Sequence, residues 1–378
     1  MKKILIFYAS YGGGHLNAAK SIYECILENY PKMEVELIDC MKYVNKAIEK
    51  VTTAAYIEAA KKMPIVWGRI YNDSQKGPLA HISSRSNKIM AIKLLKLLRE
   101  KQPELIISTH PFGSQMCSYL KRKGKISAKI ATIMTDFAIH DQWIVGNEFT
   151  DYYFVAQEGM KEQLMQKNIP AEKIYVTGIP VSKRFLQQYD KNKIIREFNL
   201  SEDKKTILFF GGGEFGLGKT RTFEIFEKFV QFAKNNNMQI VGISGKNEKM
   251  KLNFEEIVEK NDAQKNVKIL EFTNQVPELM SISCLVVTKP GGMTTTESLV
   301  SHLPMVIINP IPGQEEENAK FLEENGIAIW LKKKDDVEHT IGTLLKSPEK
   351  LEKMRNQAKI FAHPNSTQDI CKILIGWI

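Results

Sequence analysis

A short segment near the amino terminus combines three glycines with a histidine, and both residue types could take part in chemistry. The segment from Tyr8 to Ala19 reads YASYGGGHLNAA, so the glycines follow a strand-like run and precede a helical one. Glycines placed there let backbone N–H groups and a helix amino terminus approach an anion or a polar headgroup. His15 lies where that helix starts, and an imidazole titrates near neutral pH, so it is a candidate general base. The alternative is a histidine with only a structural role.

A second glycine-rich segment matches the phosphate-binding loop of nucleoside triphosphatases. It reads ILFFGGGEFGLGKT, and Gly213–Thr220 fits GxxxxGK[ST] between a strand and a helix. Such an enzyme also needs an acidic residue at the end of an apolar strand to help hold Mg²⁺. The later strands end in QIVGISG, CLVVTKPGG and MVIINP, and Thr135-Asp136 lies in the other half of the chain. A loop that wraps a diphosphate is therefore favoured, with a P-loop NTPase as the alternative.

Two further segments suit a nucleotide and a sugar. In VVTKPGGMTTTESL a strand ends, Pro-Gly-Gly turns and a helix begins, so the amides of Gly292, Met293 and Thr294 could hold a phosphate. Glu297, one turn into that helix, could bind a ribose diol, although an acidic residue near a helix start is common. In PIPGQEEENAKFL, Gln314 and Asn318 are four residues apart and share a helix face that could bind sugar hydroxyls.

These segments lie among short apolar, β-rich runs that alternate with amphipathic helical stretches. That alternation predicts parallel βαβ units, and it restarts at TILFFGGG, so we expect an α/β protein with two doubly wound domains. We expect domains at 1–183 and 200–357 with a charged linker at 184–199. The last stretch, 358–378, has an apolar face that could pack back on the first domain. Ligands of such sheets bind beyond the carboxyl ends of the strands, and two domains facing each other would form a cleft.

Composition and charge narrow the class of protein. The 378 residues suit two domains, and the five scattered cysteines show no metal-ligand spacing and suit a reducing cytosol. No apolar run is long enough to span a bilayer, and the first strand lacks a signal-peptide cleavage site, so we expect neither secretion nor a membrane span. Residues 1–180 hold 25 basic and 17 acidic residues, a net of +8 of the total +10. This excess of positive charge favours an anionic partner, which could be nucleic acid or an anionic lipid surface. The alternative is that it is ordinary charge that keeps the protein in solution.

Six motifs occur together in order: GGGH, MTDFAIHDQW, TGIPV, FFGGGEFGLG, TKPGGMTTTESL and PGQEEENAKF. Over nearly the whole chain they resemble glycosyltransferase family 28, in particular the bacterial processive diacylglycerol β-glucosyltransferases and plant monogalactosyldiacylglycerol synthases. The resemblance implies a GT-B fold. It also implies inverting transfer of a hexose, glucose favoured and galactose possible, from a UDP-sugar to diacylglycerol or a glycosyl-diacylglycerol. A related transferase acting on another lipid-linked acceptor is the nearest alternative.

The resemblance also implies roles for individual residues. His15 would be the base, assisted or replaced by Asp136. The acceptor side would include Gly13, Gly14, His140 and Trp143. The UDP-sugar side would include Gly212, Gly213, Phe272, Thr273, Gly291, Gly292, Met293, Thr294, Glu297, Gln314, Glu315 and Asn318. Some glucosyltransferase members have a non-glycine residue within the first loop, which puts fine substrate assignment in doubt.

The resemblance further implies an enzyme without a cofactor or catalytic metal, and the sequence has no DxD motif. Its partners would be the UDP-sugar, the lipid acceptor and an anionic membrane surface, with no nucleic acid. The location would be cytoplasmic, peripheral on the inner face of the cell membrane. The basic stretch from Ser83 to Lys101, with apolar residues at Ile89, Ile92, Leu95 and Leu98, suits either a membrane-surface helix or a buried helix with solvated lysines.

Overall fold

The computed structural model describes residues 2–10, 13–44, 78–144, 146–212 and 219–378, with the side chains of 78–89 and 219 left aside. The chain divides into two compact units. The first comprises Met1–Lys183, Pro312–Gln314 and His363–Ile378, and the second comprises Arg184–Ile311 and Glu315–Ala362.

A six-stranded parallel sheet forms the centre of the first unit, in the order β2-β1-β3-β4-β5-β6. Its strands are β1 (Lys2–Tyr8), β2 (Met33–Asp39), β3 (Leu105–Ser108), β4 (Lys129–Ile133), β5 (Tyr152–Val155) and β6 (Ile174–Val176). Its helices are α1 (Gly13–Asn29), α2 (Cys40–Val44), α3 (Pro78–Lys101), α4 (Pro111–Arg122) and α5 (Glu158–Gln166). Separate apolar clusters contain residues from opposite faces of β1, such as Leu5 in one and Ile4 in the other, as expected for a sheet covered on both sides.

The second unit also has a six-stranded parallel sheet, in the order β12-β11-β10-β7-β8-β9. Its strands are β7 (Lys205–Phe210), β8 (Met238–Ile243), β9 (Val267–Leu270), β10 (Ser283–Thr288), β11 (Met305–Ile307) and β12 (Ala328–Trp330). Its helices are α6 (Lys191–Glu197), α7 (Lys219–Asn235), α8 (Glu248–Lys260), α9 (Val276–Ile282), α10 (Gly292–Val300), α11 (Gln314–Glu324), α12 (Val337–Leu345) and α13 (Pro348–Phe361). Phe209 of β7 packs edge-on against Phe226 and Phe229 of α7 in the core of this unit.

The last helix, α14 (Ser366–Ile375), is part of the first unit. Its Cys371 lies against the Ile22 carbonyl of α1, and Trp377 beyond it stacks on Tyr152 with ring centroids 3.3 Å apart. The segment 184–199, which we expected to be a linker, contains α6 and is counted with the second unit.

The described part of α3 is a helix of the core. Ala91, Leu94 and Leu97 are buried, whereas Ile92 of the expected apolar stripe is 64% exposed. These buried positions of α3 are therefore each one residue before the positions of the predicted stripe. The sequence could not distinguish the two faces, because both sets of positions are apolar. Of that stripe, Leu98 is buried and the side chain of Ile89 lies outside the described part. No helix among the described residues is both long and apolar enough to cross a bilayer.

Candidate active site

The first group of candidate residues lies where the strand order of the first sheet reverses. Strand β1 pairs with β2 on one side and with β3 on the other. The loops after β1 and β3 therefore run in opposite directions, which opens a crevice beyond their carboxyl ends. His15 is in the first turn of α1, directly after β1, and Thr109 and His110 directly follow β3.

Two oxygens surround one ring nitrogen of His15. The Nδ1 atom lies 2.6 Å from the carbonyl oxygen of Thr109 and 3.1 Å from Oγ1 of Thr135. A carbonyl oxygen can only accept, so Nδ1 carries the proton and donates it. The neutral ring then has its lone pair on Nε2. The Thr109 hydroxyl also donates to the His15 carbonyl, at 2.8 Å, and so fixes the start of α1.

Burial lowers the pKa of His15 to about 4, and the hydrogen bond to Thr109 opposes part of that shift. The imidazole is therefore neutral at neutral pH and can accept a proton at Nε2. Loss of hydration is the main reason for the neutral form. The amino-terminal dipole of α1 acts in the same direction.

Two more histidines and a tryptophan complete an aromatic cluster. The His110 ring meets His15 edge-on, with centroids 4.6 Å apart, and its Nδ1 accepts the backbone N–H of Phe112 as the cap of α4. Trp143 lies 6.4 Å from His15 and 5.7 Å from His140, centroid to centroid. Burial lowers the pKa of His110 well below its usual value and that of His140 to about 3. Sequence reasoning missed His110, although its position directly after a buried strand is a usable signal.

Asp136 is associated with His140 in this cluster. Its Oδ2 lies 3.9 Å from His140 Nε2, which is too far for a hydrogen bond, and His140 is neutral, so the two do not form an ion pair. Trp143 is fully buried, so it packs beside the histidine rings and does not offer an exposed face to a ligand. Gly13 is exposed and Gly14 partly exposed at the start of α1, with open space where a Gly13 side chain would lie.

The second group of candidates lies at the corresponding reversal of the other sheet, where β7 pairs with β8 on one side and β10 on the other. Gly212, after β7, has φ +92°, a conformation that favours glycine. A Cβ there would lie 3.7 Å from Cε of Lys289, which follows β10, so these two loops are in contact. Gly213 and the P-loop match through Gly218 lie outside the described residues.

Helix α10 starts without a side-chain cap. Its N-cap residue is Gly291, and its first turn contains no acidic residue. No side-chain acceptor from the cap therefore competes for the N–H groups of Gly292, Met293 and Thr294, which suit an anionic ligand.

A cation that sequence reasoning missed stands beside this helix start. Lys289 is partly buried, and desolvation lowers its pKa, a shift that the nearby Glu315 carboxylate opposes. Burial raises the pKa of Glu315, Lys289 opposes that shift, and Glu315 Oε2 accepts the Ile311 N–H at 2.7 Å. The sequence feature that could have identified Lys289 is its position in TKPGG, directly after a strand and before the turn.

Glu297 is partly buried in the second turn of α10, and burial raises its pKa to about 8. Its carboxyl is therefore mostly protonated at neutral pH without a ligand. Ribose hydroxyls that donate to it would favour the ionised form.

The remaining predicted donor-side residues differ in exposure. Phe272 is 61% exposed after β9, with the Lys246 ammonium 5.4 Å from its ring centre, and the hydroxyl of Thr273 accepts the Gln275 N–H. Gln314 is partly exposed. Asn318 is fully buried, and its Nδ2 donates to the Pro290 carbonyl at 2.9 Å, so this amide holds the Pro-Gly-Gly turn against α11.

Within the part of the chain that the structure describes, no group of three or more His, Cys, Asp and Glu side chains could hold a metal ion.

Two doubly wound parallel domains, each with candidate residues at its strand-order reversal, define the GT-B class of α/β proteins, as the sequence predicted. The chain is similar over its full length to the Staphylococcus aureus MnaA–UDP co-structure (TM-score 0.68, 14% identity, 98% of that chain). It is also similar over its full length to Acinetobacter baumannii MurG (TM-score 0.66, 13% identity, 100% of that chain).

Sequence comparison identifies the family. Residues 15–181 match monogalactosyldiacylglycerol (MGDG) synthase, and residues 190–361 match glycosyl transferases group 1. The processive diacylglycerol beta-glucosyltransferase of Bacillus licheniformis is 30% identical, over 99% of this chain and 94% of the relative. That of Staphylococcus saprophyticus is 32% identical, over 99% and 93%. The chain belongs to the family of processive diacylglycerol beta-glucosyltransferases, which confirms the sequence resemblance.

Proposed function

We propose that this protein transfers a hexose, with glucose favoured, from a UDP-sugar to the hydroxyl of diacylglycerol or of a glycosyl-diacylglycerol, with inversion at the anomeric carbon. The observation that carries the proposal is the state of His15. Its ring is neutral, its Nδ1–H is bound to a carbonyl, and its Nε2 is left as the basic atom. Relatives along the whole chain are named for this reaction.

The second unit has the groups that a UDP-sugar needs. The uncapped N–H groups at the start of α10 and the Lys289 ammonium would stabilise the diphosphate as it departs. Glu297 would hold the ribose, the backbone at Phe272 and Thr273 would frame the uracil, and Glu315 would lie near the sugar. Its neighbour Gln314, which is part of the first unit, would also lie near the sugar.

The first unit supplies the base. The lipid hydroxyl loses its proton to Nε2 of His15 while its oxygen forms a bond to the anomeric carbon. The bond from that carbon to the diphosphate oxygen breaks, and UDP leaves with the electron pair. Asp136 is buried in the same cluster, and its carboxylate, when ionised, would favour the imidazolium that forms. No step of this scheme uses a metal ion or a cofactor.

The acceptor implies a membrane partner. We propose that the protein works at the inner face of the cell membrane as a peripheral protein, attracted to anionic lipids by the excess positive charge of residues 1–180. This charge is proposed to act on lipid and not on nucleic acid.

Product analysis tests the proposal. Purified protein is incubated with diacylglycerol and either UDP-glucose or UDP-galactose, each labelled in the sugar, and the lipids are separated by thin-layer chromatography. We expect a labelled glucosyl-diacylglycerol, with slower bands where further sugars are added. If labelled lipid formed with UDP-galactose and not with UDP-glucose, the transferred sugar would be galactose. Absence of labelled lipid with both donors, while the same preparation binds UDP, would overturn the proposed function.

A further inference from the structure

The ring of His15 is held by residues from two neighbouring strands. Thr109 follows β3 and Thr135 follows β4, and these strands are paired. The Thr109 carbonyl and the Thr135 hydroxyl lie 2.6 Å and 3.1 Å from the same ring nitrogen. Both threonines are buried, at 0% and 5% exposure, so water competes little for these contacts.

These distances determine which nitrogen of the His15 ring carries the proton. If Nδ1 carried the lone pair, it would face the carbonyl lone pairs of Thr109 at 2.6 Å, which is repulsive. With the proton on Nδ1, the Thr109 carbonyl accepts it and the Thr135 oxygen is a second acceptor of the same N–H. Both of these acceptors of the Nδ1 proton are uncharged oxygens.

We propose that Thr135 is a positioning residue for the transfer reaction, forming with the Thr109 carbonyl a cradle of two uncharged oxygens that orients the His15 ring and stabilises its protonated form. The inference rests on the proposed function, in which His15 is the base. When Nε2 takes the proton of the lipid hydroxyl, the positive charge spreads to Nδ1–H. Both oxygens then accept from a cation, and such hydrogen bonds are stronger than those between neutral groups.

The cradle explains how a base with a low pKa can work. Burial alone disfavours the imidazolium, which would slow proton transfer at neutral pH. Contacts that strengthen only as the proton arrives favour the transition state over the ground state. We therefore expect Thr135 to affect turnover and to leave substrate binding almost unchanged.

Three variants test this role. Thr135→Val keeps the shape and removes the acceptor, and Thr135→Ser keeps the acceptor. The matched control is Thr132→Val on β4, because its buried hydroxyl pairs with Ser114 Oγ at 2.6 Å, whereas His15 Nδ1 bonds to Thr109 and Thr135. We expect kcat to fall about 10-fold in Thr135→Val, the size of one lost charge-assisted hydrogen bond. We expect it to stay within about twofold of wild type in the other two, with KM for diacylglycerol unchanged in all.

An NMR measurement separates this inference from the proposed function. Long-range ¹H–¹⁵N spectra of histidine-labelled protein at pH 7.5 report which ring nitrogen carries the proton, whether or not the protein turns over substrate. We expect His15 protonated at Nδ1, with faster exchange of that proton in Thr135→Val and no change in Thr132→Val. A His15 ring protonated at Nε2 would overturn the cradle, as would equal kcat in Thr135→Val and wild type. If labelled lipid never forms but the Nδ1–H is present, the proposed function has failed and the ring geometry stands.

Discussion

At the scale of single residues, His15 combines the two properties that a general base requires at neutral pH, an unprotonated ring nitrogen and a fixed orientation. We expect His15→Ala to lower kcat by about 10²–10⁴, the usual contribution of general base catalysis. The affinity for UDP should change little, because the proposed donor groups lie in the second unit. The measurements are initial rates in the lipid assay and UDP titration by calorimetry.

Asp136 provides the comparison for His15. If Asp136 supports the cluster only by its charge, Asp136→Asn should reduce turnover less than His15→Ala does. Its Oδ2 lies 3.9 Å from Nε2 of His140, whereas Nδ1 of His15 is hydrogen-bonded to Thr109 and Thr135. A normally folded His15→Ala protein with near-normal turnover would show that His15 is not the base, and Asp136 would then take that role.

Glu297 should couple UDP binding to proton release. Its pKa is about 8 in the free protein, and ribose hydroxyls that donate to the carboxylate would lower that pKa in the complex. The complex then binds fewer protons than the free protein, so UDP affinity should rise with pH between about 6 and 8. Calorimetry at pH 7.5 in two buffers of different ionisation enthalpy measures the protons released.

Glu297→Gln is the control for the proton count, because it cannot ionise, and it should release fewer protons than wild type. Glu297→Ala should weaken UDP binding by about 1–3 kcal/mol, as expected for lost charge-assisted hydrogen bonds. An unchanged UDP affinity in Glu297→Ala would remove Glu297 from the ribose site.

At the scale of elements, the loops after β7 and β10 meet because these two strands are neighbours, and Lys289 stands between them. We expect Lys289→Ala to weaken UDP binding by about 1–3 kcal/mol, since it removes a partly buried cation from the proposed diphosphate site. Uridine, which lacks phosphate, should bind equally to both proteins. Titrations with the two ligands give the comparison.

Lys219→Ala is the matched lysine variant, because Lys219 would contact phosphates if the segment were a P-loop. We expect transferase activity and UDP affinity to remain largely intact in this variant. If Lys219→Ala abolished activity while Mg²⁺-dependent ATP hydrolysis were detectable in wild type, the chain would have to be reconsidered as an ATPase.

The elements themselves were predictable. Each strand of the two sheets overlaps one of the short apolar runs of the sequence, and several strands begin one or two residues before the run, as β1 does at Lys2 and β2 at Met33. Strands of a parallel sheet covered on both faces are continuous in apolar residues, and the intervening helices show a different period. The candidate loops were recognisable for the same reason, because each directly follows such a run.

The contacts within each site were not predictable, because they depend on strand order. His15 meets Thr109 and Thr135 only because β1, β3 and β4 are adjacent, although about 94 and 120 residues separate them in sequence. Lys289 meets Gly212 because β10 pairs with β7 and not with β9. Sequence identified loops with chemistry, whereas topology determines which loops share a site.

At the scale of the whole molecule, charge is unevenly distributed between the two halves of the chain. Residues 1–180 hold +8 of the net +10, and this half also contains the proposed acceptor-side base. On α3, the buried face is apolar while Lys93, Lys96 and Arg99 are exposed together with Ile92. An exposed basic face with an apolar side chain suits contact with an anionic lipid surface.

We therefore expect the protein to bind vesicles that contain phosphatidylglycerol, and to bind less as salt increases, because screening shortens the reach of surface charges. Lysines near such a surface contribute about 1 kcal/mol each, so Lys93→Glu with Lys96→Glu should reduce binding strongly. The matched control is Lys333→Glu with Lys334→Glu, an equal charge change at exposed positions of the second unit. Co-sedimentation across phosphatidylglycerol content and salt measures the bound fraction. Equal losses of binding in the two double variants would show that the attraction depends on net charge and not on α3. Binding that did not change with phosphatidylglycerol content or with salt would contradict an electrostatic attachment.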